Sequence, residues 1–198
     1  GLHDSFCSNL KRLGFEAPTK IQSIAIPKIF SGKDIVATAQ TGTGKTAAFG
    51  LPLLQKITSK KLPLSSPRSL RSLILAPTRE LALQILEDLE SFSGNSKISF
   101  SCVIGGINQN SQIRKNSHGI DVLVAAPGRL LDLINQGHIR LDQTEFLVLD
   151  ECDRLLDMGF LPDVKRIVKT MPKKRQSLLF SATIPEEVRQ FSKEILSK

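Results

Sequence analysis

Short apolar runs alternate along the chain with longer segments in which apolar residues recur at helical spacing. The runs are rich in Val, Ile and Leu and almost uninterrupted by polar residues, which is typical of strands covered by helices on both faces. They lie at Asp34–Thr38, Ser72–Ala76, Ile98–Ile104, Asp121–Ala125, Phe146–Leu149 and Ser177–Ser181. The helical segments between them lie at Lys45–Thr58, Glu80–Phe92, Asn108–Ser117, Arg129–Gln136, Asp163–Thr170 and Glu186–Leu196. This alternation predicts a mainly parallel sheet in a three-layer α/β domain.

Two segments near the start and one in the middle complete this pattern. Amphipathic stretches around Asp4–Gly14 and at Ile21–Phe30 predict helices before the first strand. The stretch Lys60–Ser72 has no period and is rich in Ser, Pro and basic residues. We interpret it as a solvated surface loop, with an electrostatic arm for a polyanion such as RNA as the alternative. The length fits one domain over residues 1–198.

The composition is that of a folded domain with an excess of positive charge. Of the 198 residues, 40% are hydrophobic and 23% charged, with 27 Lys and Arg against 19 Asp and Glu, a formal net charge of +8. That charge leaves binding to a polyanion open. No Trp or Tyr accompanies the ten Phe, which disfavours a protein that holds nucleic acid by stacking bases on exposed rings.

Sequence signals for location are few. No stretch of 18 apolar residues predicts a membrane span, and Gly1–Asp4 does not begin a signal peptide. The three cysteines, Cys7, Cys102 and Cys152, are odd in number and too far apart in sequence to pair as metal ligands. Reduced thiols in a cytosol-like compartment are the simplest interpretation, so a cytoplasmic location is predicted.

A glycine-rich turn follows the first predicted strand and opens the next helix. It consists of Ala39, Gln40, Thr41, Gly42, Thr43, Gly44, Lys45 and Thr46, and matches the phosphate-binding P-loop except that Ala replaces the usual first Gly. The glycines allow successive N–H groups to point inward, and the positive end of the helix faces the same anion. Lys45 is predicted to reach the β and γ phosphates, and Thr46 to bind Mg²⁺. A nucleoside triphosphate site is favoured over a chance turn because strand, loop and helix occur in the required order.

The strand Phe146–Leu149 runs directly into two acidic residues, Asp150 and Glu151. Asp150 is predicted to hold Mg²⁺, partly through water, and Glu151 to orient and polarise the attacking water. Open α/β sheets bind ligands at the carboxyl ends of their strands, so both carboxylates are expected beside the P-loop. Taken alone, the pair is better explained as a solvated helix start. The P-loop upstream reverses that preference.

Together with further short motifs, these residues resemble the DEAD-box RNA helicases, in the variant of their signature that contains Cys. The matching segments are Asp150–Asp153, the Q motif at Gly14–Gln22, motif Ia at Pro77–Leu81, the doublet Gly105–Gly106, motif Ib at Ala126–Arg129 and motif III at Ser181–Thr183. They extend over almost the whole chain in the family's order. Residues 129–133 and 156–160 are similar to bacterial members in particular.

The resemblance implies a RecA-like P-loop NTPase domain, the N-terminal one of two, with the Q motif region in residues 1–30 and the second domain absent from this chain. It implies ATP and Mg²⁺ as cofactors, with Phe15, Lys20 and Gln22 at the nucleotide, where the Gln22 amide would read the adenine edge. The implied activity is an RNA-stimulated ATPase that unwinds RNA or remodels ribonucleoprotein. Because the second domain would supply an arginine finger, the isolated domain is expected to be an essentially inactive monomer.

The resemblance assigns three of the motifs to RNA. Their residues are Pro77, Thr78, Arg79, Gly105, Gly106, Pro127, Gly128 and Arg129. Motifs Ia and Ib each fall between a strand and a helix, where backbone N–H groups and an Arg suit a phosphate, and the glycine doublet permits close approach of a sugar–phosphate backbone. Such contacts do not depend on base sequence. For either arginine taken alone, an internal salt bridge is an equally good explanation.

Asp153, Ser181 and Thr183 form the predicted link between the ATP and RNA sites, through hydroxyl hydrogen bonds to Asp153. Capping of the next helix by Thr183 is an alternative that is compatible with this role. Two residues depart from the family's pattern, since Cys152 stands for the common Ala and Ala126 for the usual Thr. We interpret Cys152 as a small buried hydrophobe rather than a redox switch.

Two other functions are left open by the residues. A P-loop kinase or metabolic ATPase would have no use for the glycine doublet or for Pro127–Arg129. An RNA clamp or scaffold without turnover would not need an intact pair of acidic residues at Asp150 and Glu151.

Overall fold

The computed structural model describes residues 1–59, 69–106 and 119–196. Within these ranges six parallel strands form one sheet, in the order β1-β6-β5-β2-β4-β3. The strands are β1 at Ile35–Thr38, β2 at Leu70–Leu75, β3 at Phe100–Val103, β4 at Ile120–Ala125, β5 at Phe146–Leu149 and β6 at Gln176–Ser181. All six predicted strands are confirmed, and the predicted parallel sheet with them.

Helices cover both faces of the sheet. In the described ranges they are α1 at Asp4–Arg12, α2 at Lys20–Phe30, α3 at Lys45–Ser59, α4 at Arg79–Ser93, α5 at Pro127–Asn135, α6 at Cys152–Asp157, α7 at Leu161–Lys169 and α8 at Glu186–Ile195. The predicted helix at Asn108–Ser117 lies outside the described residues. The short helix α6 was not predicted, because six residues beginning inside an acidic motif carry almost no periodic signal.

The end of the predicted surface loop is wrong. Most of Lys60–Ser72 lies outside the described residues, but its last residues already belong to β2, which begins at Leu70. Arg71 was counted among the basic loop residues, yet its guanidinium is buried and bonds Asp121 at the start of β4, with Nε 3.1 Å from Oδ1. A charged residue can enter a buried strand when a neighbouring strand supplies its partner.

Two hydrophobic clusters, one on each face of the sheet, explain the continuous apolar runs. In β5, Val148 packs with α2, α3 and α4 on one face, whereas Leu147 and Leu149 pack with α5, α6 and α7 on the other. β6 alternates in the same way, with Phe180 on the first face and Leu179 on the second. Both faces are buried, so most positions of these strands are apolar.

The crossovers bring every strand's carboxyl end to the same edge. Helix α3 leaves β1 on the first face and leads to β2, while α6 and α7 leave β5 on the second face and lead to β6. Connections that depart to opposite faces open a crevice at the carboxyl ends of the strands. The loops after β1, β5 and β6 therefore meet there.

Candidate functional site

The P-loop lies at the end of β1, as predicted. Its first residue continues the pairing with β6, since Ala39 N–H donates to the Ser181 carbonyl at 2.9 Å. Gly42 and Gly44 have φ values of 81° and 86°. Residues other than glycine adopt such values only with steric strain. Helix α3 then begins at Lys45. The turn therefore directs the start of α3 into the crevice.

The side chains of Lys45 and Asp150 are in contact beside this turn. The Lys45 Nζ lies 3.3 Å from Asp150 Oδ1, and the two side chains are 6% and 2% exposed. The ammonium is not aligned for a hydrogen bond with any described residue. Burial raises the pKa of Asp150, and the charge of Lys45 opposes that rise. A buried cation with free donors next to a carboxylate is suited to a phosphate group and its metal ion.

Glu151 is held in an unusual backbone conformation. It is the one residue other than glycine in the described ranges with positive φ, at 51°, and its N–H donates to Asp150 Oδ1 at 2.9 Å. Its carboxylate is buried and accepts hydrogen bonds from Thr41 Oγ1 at 3.3 Å and from Arg154 Nη1 at 2.8 Å. Left-handed backbone at such a residue costs about 1–3 kcal/mol and is concentrated at functional sites.

Cys152 directly follows the acidic pair and belongs to the hydrophobic cluster on the second face of the sheet. The side chain is 3% exposed, and burial raises the pKa of its thiol, so the neutral form is retained. This environment supports its interpretation as a small hydrophobe, because reactive cysteines require an accessible thiolate.

The Q motif residue Gln22 is attached to the P-loop. Its side chain is buried, with Oε1 accepting from Thr19 N–H at 3.0 Å and Nε2 donating to the Gly44 carbonyl at 3.2 Å. Thr19 Oγ1 also donates to the Thr43 carbonyl at 2.9 Å. The sequence did not indicate these contacts. They place the start of α2 against the phosphate-binding turn.

Three other residues predicted at the nucleotide either contact α4 or are exposed to solvent. The Phe15 ring packs edge-on against Phe92 of α4, with centroids 5.6 Å apart, and Lys20 is exposed at the start of α2. Burial raises the pKa of Asp88 in α4, and a hydrogen bond with the Thr46 side chain partly opposes that rise. The roles of Phe15, Lys20 and Thr46 at the nucleotide stay predictions.

Motif Ia and the glycine doublet are brought together at the ends of β2 and β3. Thr78 caps α4, its hydroxyl accepting from Leu81 N–H at 3.2 Å. Arg79 donates to the Gly105 carbonyl through Nη1 at 3.4 Å. A Cβ at Gly106 would lie 2.7 Å from that same Nη1, so the guanidinium lies directly over the glycine. Pro77 precedes the cap, at the carboxyl end of β2.

Motif Ib opens α5 at the end of the neighbouring strand β4. Pro127 occupies the first turn of the helix, where its missing N–H costs nothing. Arg129 lies 4.0 Å from Asp132 Oδ2, and its buried Nε has no hydrogen-bond partner. Gly128 leaves room toward α7, where a Cβ would approach Asp163 at 3.9 Å. A long ion pair with an unsatisfied guanidinium is weak support for the internal salt bridge.

The predicted contact between motif III and Asp153 is present. Thr183 donates to Asp153 Oδ2 through both its backbone N–H and its hydroxyl, each at 2.9 Å, and Ser181 Oγ accepts from Asp153 N–H at 3.0 Å. Burial acts to raise the pKa of Asp153, but the hydrogen bonds from Thr183 and Ser181 outweigh it and leave the pKa lowered. The capping alternative is wrong, because the N-cap of α8 is Pro185.

The strand order divides the crevice into two halves. The P-loop, motif III and the acidic pair follow β1, β6 and β5, and motifs Ia, the glycine doublet and Ib follow β2, β3 and β4.

A family model described as DEAD/DEAH box helicase matches residues 19–191. The chain belongs to this family.

Relatives support that membership over the full chain. It is 43% identical to the ATP-dependent RNA helicase CshA of Listeria monocytogenes, covering 99% of this chain and 36% of the relative. It is 43% identical to the RNA helicase CrhR of Synechocystis, covering 100% of this chain and 39% of the relative. Both are bacterial, in line with the predicted similarity. The chain thus spans less than two fifths of these helicases.

A solved structure supports the RecA-like fold. The crystal structure of a DEAD box protein from the hyperthermophile Methanococcus jannaschii superposes with a TM-score of 0.91 at 36% identity. The match covers 100% of this chain and 53% of that one. The predicted fold class is therefore confirmed.

A magnesium ion in a DEAD-box site would depend on more than protein ligands. No group of three His, Cys, Asp or Glu side chains in the described ranges can hold a metal by itself. Mg²⁺ commonly binds through one or two carboxylates together with waters and substrate phosphates. The buried Asp150 beside the unsatisfied Lys45 ammonium fits that arrangement.

Two further observations concern regions away from the helicase motifs. A cavity of about 750 Å³ lies between α1 and the carboxyl ends of α3 and α4, and none of the predicted site residues lines it. In the part of the chain that the structure describes, no helix is long and apolar enough to cross a membrane.

Proposed function

We propose that this chain is the ATP-binding, RecA-like domain of an ATP-dependent RNA helicase, in which ATP binding and hydrolysis drive RNA unwinding or ribonucleoprotein remodelling. The observation that carries the proposal is the buried contact of Lys45 with Asp150, next to the constrained Glu151 and at the mouth of the P-loop. The proposed location is the cytoplasm.

Each residue of the nucleotide half has a distinct role. The P-loop N–H groups and Lys45 bind the β and γ phosphates, while Asp150 and Thr46 hold Mg²⁺, the former partly through water. The metal, when bound, neutralises charge that develops on the phosphates. Glu151 orients and polarises the water that attacks the γ phosphate. Gln22 reads the adenine edge while its contact with Gly44 keeps it next to the turn.

The RNA half binds the sugar–phosphate backbone. Arg79 and Arg129 stand at the N-terminal ends of α4 and α5, where the first N–H groups of a helix also suit a phosphate. The glycine doublet lets the backbone approach. None of these groups reads a base edge, so binding is independent of sequence.

The complete activity requires a second RecA-like domain, which supplies further RNA contacts and an arginine finger. Such fingers accelerate phosphoryl transfer by about 10³–10⁵-fold in related sites. The 198-residue chain alone is therefore proposed to be a monomer that binds nucleotide weakly, with negligible hydrolysis and no unwinding.

The test is RNA-stimulated ATP hydrolysis by the full-length protein and its Glu151→Gln variant. We expect turnover that rises on addition of RNA and is lost in the variant, while affinity for a non-hydrolysable ATP analogue is retained. Turnover that ignores RNA would indicate a kinase or metabolic ATPase. Turnover absent from both proteins, with RNA still bound, would indicate a clamp or scaffold.

A further inference from the structure

Arg154 is the cation that contacts the carboxylate of Glu151. Its Nη1 lies 2.8 Å from Glu151 Oε2, and the two side chains are 57% and 7% exposed. The other carboxylate oxygen, Oε1, accepts from Thr41 Oγ1 of the P-loop. In the described part of the chain, no further side chain donates a hydrogen bond to this carboxylate. Arg154 is therefore the ion partner of a carboxylate that is almost fully removed from solvent.

Two donors on different oxygens determine where the carboxylate points. One hydrogen bond leaves a carboxylate free to rotate about its last torsion, whereas bonds to Oε1 and Oε2 together fix its plane. Each oxygen retains a second lone-pair position, so the bonds to Thr41 and Arg154 leave acceptor sites for a water molecule. The arrangement orients the base without occupying it.

Arg154 also touches the motif III contact. Its backbone N–H donates to Asp153 Oδ1 at 3.1 Å, and Asp153 Oδ2 accepts from the Thr183 hydroxyl at 2.9 Å. Arg154 is thus bonded at both ends, with its backbone N–H on Asp153, which Thr183 holds, and its guanidinium on Glu151. The helix α6 that carries Arg154 is six residues long, so a displacement of Asp153 moves Arg154 with it.

We propose that Arg154 is a positioning residue that fixes the orientation of the Glu151 carboxylate and joins it to the Thr183 contact. The inference rests on the proposed function, since it needs Glu151 to act on water. It assigns Arg154 to the step of hydrolysis rather than to the binding of ATP or RNA.

The experiment compares Arg154→Met, Arg154→Lys and a matched control, Arg166→Met, in the full-length protein. Arg166 forms the same i,i+3 type of pair, 3.9 Å from Asp163, and is more exposed. We expect Arg154→Met to lower kcat about tenfold, the size expected when a single charge-assisted hydrogen bond to the base is lost. The KM for ATP, the affinity for an ATP analogue and the melting temperature stay close to wild type, and Arg154→Lys recovers part of kcat. The control leaves kcat unchanged.

A double-mutant cycle with Thr183→Val tests the link. We expect the combined loss in kcat to be smaller than the product of the single losses, because loosening Asp153 would act on Glu151 only through Arg154. A wild-type or raised kcat in Arg154→Met, or a rise in KM equal to the fall in kcat, overturns the inference. Wild-type protein without RNA-stimulated turnover overturns the proposed function and this inference with it, whereas equal turnover in wild type and Arg154→Met overturns the inference alone.

Discussion

At the scale of single residues, the proposed chemistry depends on the buried charges of Lys45 and Asp150 beside the P-loop. Removing ions from water is costly, and a buried pair persists only when geometry or a ligand compensates. Lys45 and Asp150 lie 3.3 Å apart but are not aligned for a hydrogen bond, and burial raises the pKa of Asp150. The protein alone therefore compensates poorly for the burial of these two charges, as expected of groups proposed to bind a phosphate and a cation.

Replacing Lys45 by Ala tests the phosphate role. We expect ATP affinity to fall by about a hundredfold or more, because charge-assisted hydrogen bonds contribute about 1.5–3 kcal/mol each. The melting temperature changes little, since Asp150, with its raised pKa, can take up a proton once its partner is lost. Fluorescence titration with a labelled ATP analogue, alongside thermal melting, measures both. Unaltered affinity, with the exposed Lys33→Ala as control, would refute the assignment.

Gln22→Ala tests whether the amide selects adenine. If it reads the adenine edge, the variant loses the preference for ATP over GTP. Because Gln22 also holds the Gly44 carbonyl, affinity for both nucleotides falls somewhat. Thr19→Val is the matched control, as it removes the hydroxyl bond to Thr43 and leaves the amide in place. Competition of ATP and GTP for the same site is the measurement, and surviving discrimination in Gln22→Ala contradicts the role.

The sequence predicted the residues of the candidate site and the contact of Thr183 with Asp153, but not the other contacts within it. Lys45, Asp150 and Glu151 were recognisable because the P-loop and the strand-end acids have a fixed spacing from regular elements. Arg154 was not, since its bond to Glu151 exists only once α6 forms and brings residues three apart together. The attachment of Gln22 to Gly44 was equally hidden, because it joins residues that are distant in sequence.

At the scale of elements, burial on both faces made the strands easy to predict and their ends harder. Continuous Val, Ile and Leu runs identify β2, β4 and β5 directly, but the entry of Arg71 into β2 depends on Asp121, which only pairing of the strands supplies. Helices with three or more turns show their period, whereas α6 does not. The features that the sequence did not predict, the buried Arg71 in β2 and the short helix α6, depend on contacts that form only in the folded chain.

Gly106→Ala tests the contact between motif Ia and the glycine doublet. A Cβ there meets the Arg79 guanidinium, and the φ of 76° adds backbone strain. We expect RNA affinity to fall about three- to tenfold, as for loss of one phosphate contact, with ATP-analogue affinity unchanged. Gly137→Ala is the control, because its φ of 71° carries the same strain with nothing near its Cβ. Equal RNA binding in Gly106→Ala and Gly137→Ala would contradict the role of Arg79.

At the scale of the whole molecule, net charge and the lack of Trp and Tyr restrict how the proposed RNA could be held. With a formal charge of +8 and no aromatic platform assigned to RNA, affinity has to come from phosphates. The strand order then matters, because it puts the helix ends proposed to bind RNA phosphates after β2 and β4, beside the proposed nucleotide half after β1, β6 and β5. The sequence predicted both halves, but the division between them follows from the sheet order.

The salt dependence of RNA binding measures this arrangement directly. For single strands, each phosphate neutralised by the protein contributes a slope of about −0.7 to the plot of log affinity against log salt. If Arg79 and Arg129 each neutralise one phosphate, replacing both by Ala reduces the magnitude of the slope by about 1.4. The loss is the same for poly(U) and poly(A), because neither arginine reads a base. Arg140 lies at the other end of the strands, beside Ser69 just before β2, and is paired with Asp142. We expect Arg140→Ala to leave the slope unchanged. A slope that the double variant does not alter, or a loss confined to one homopolymer, would mean that RNA is held elsewhere or through its bases.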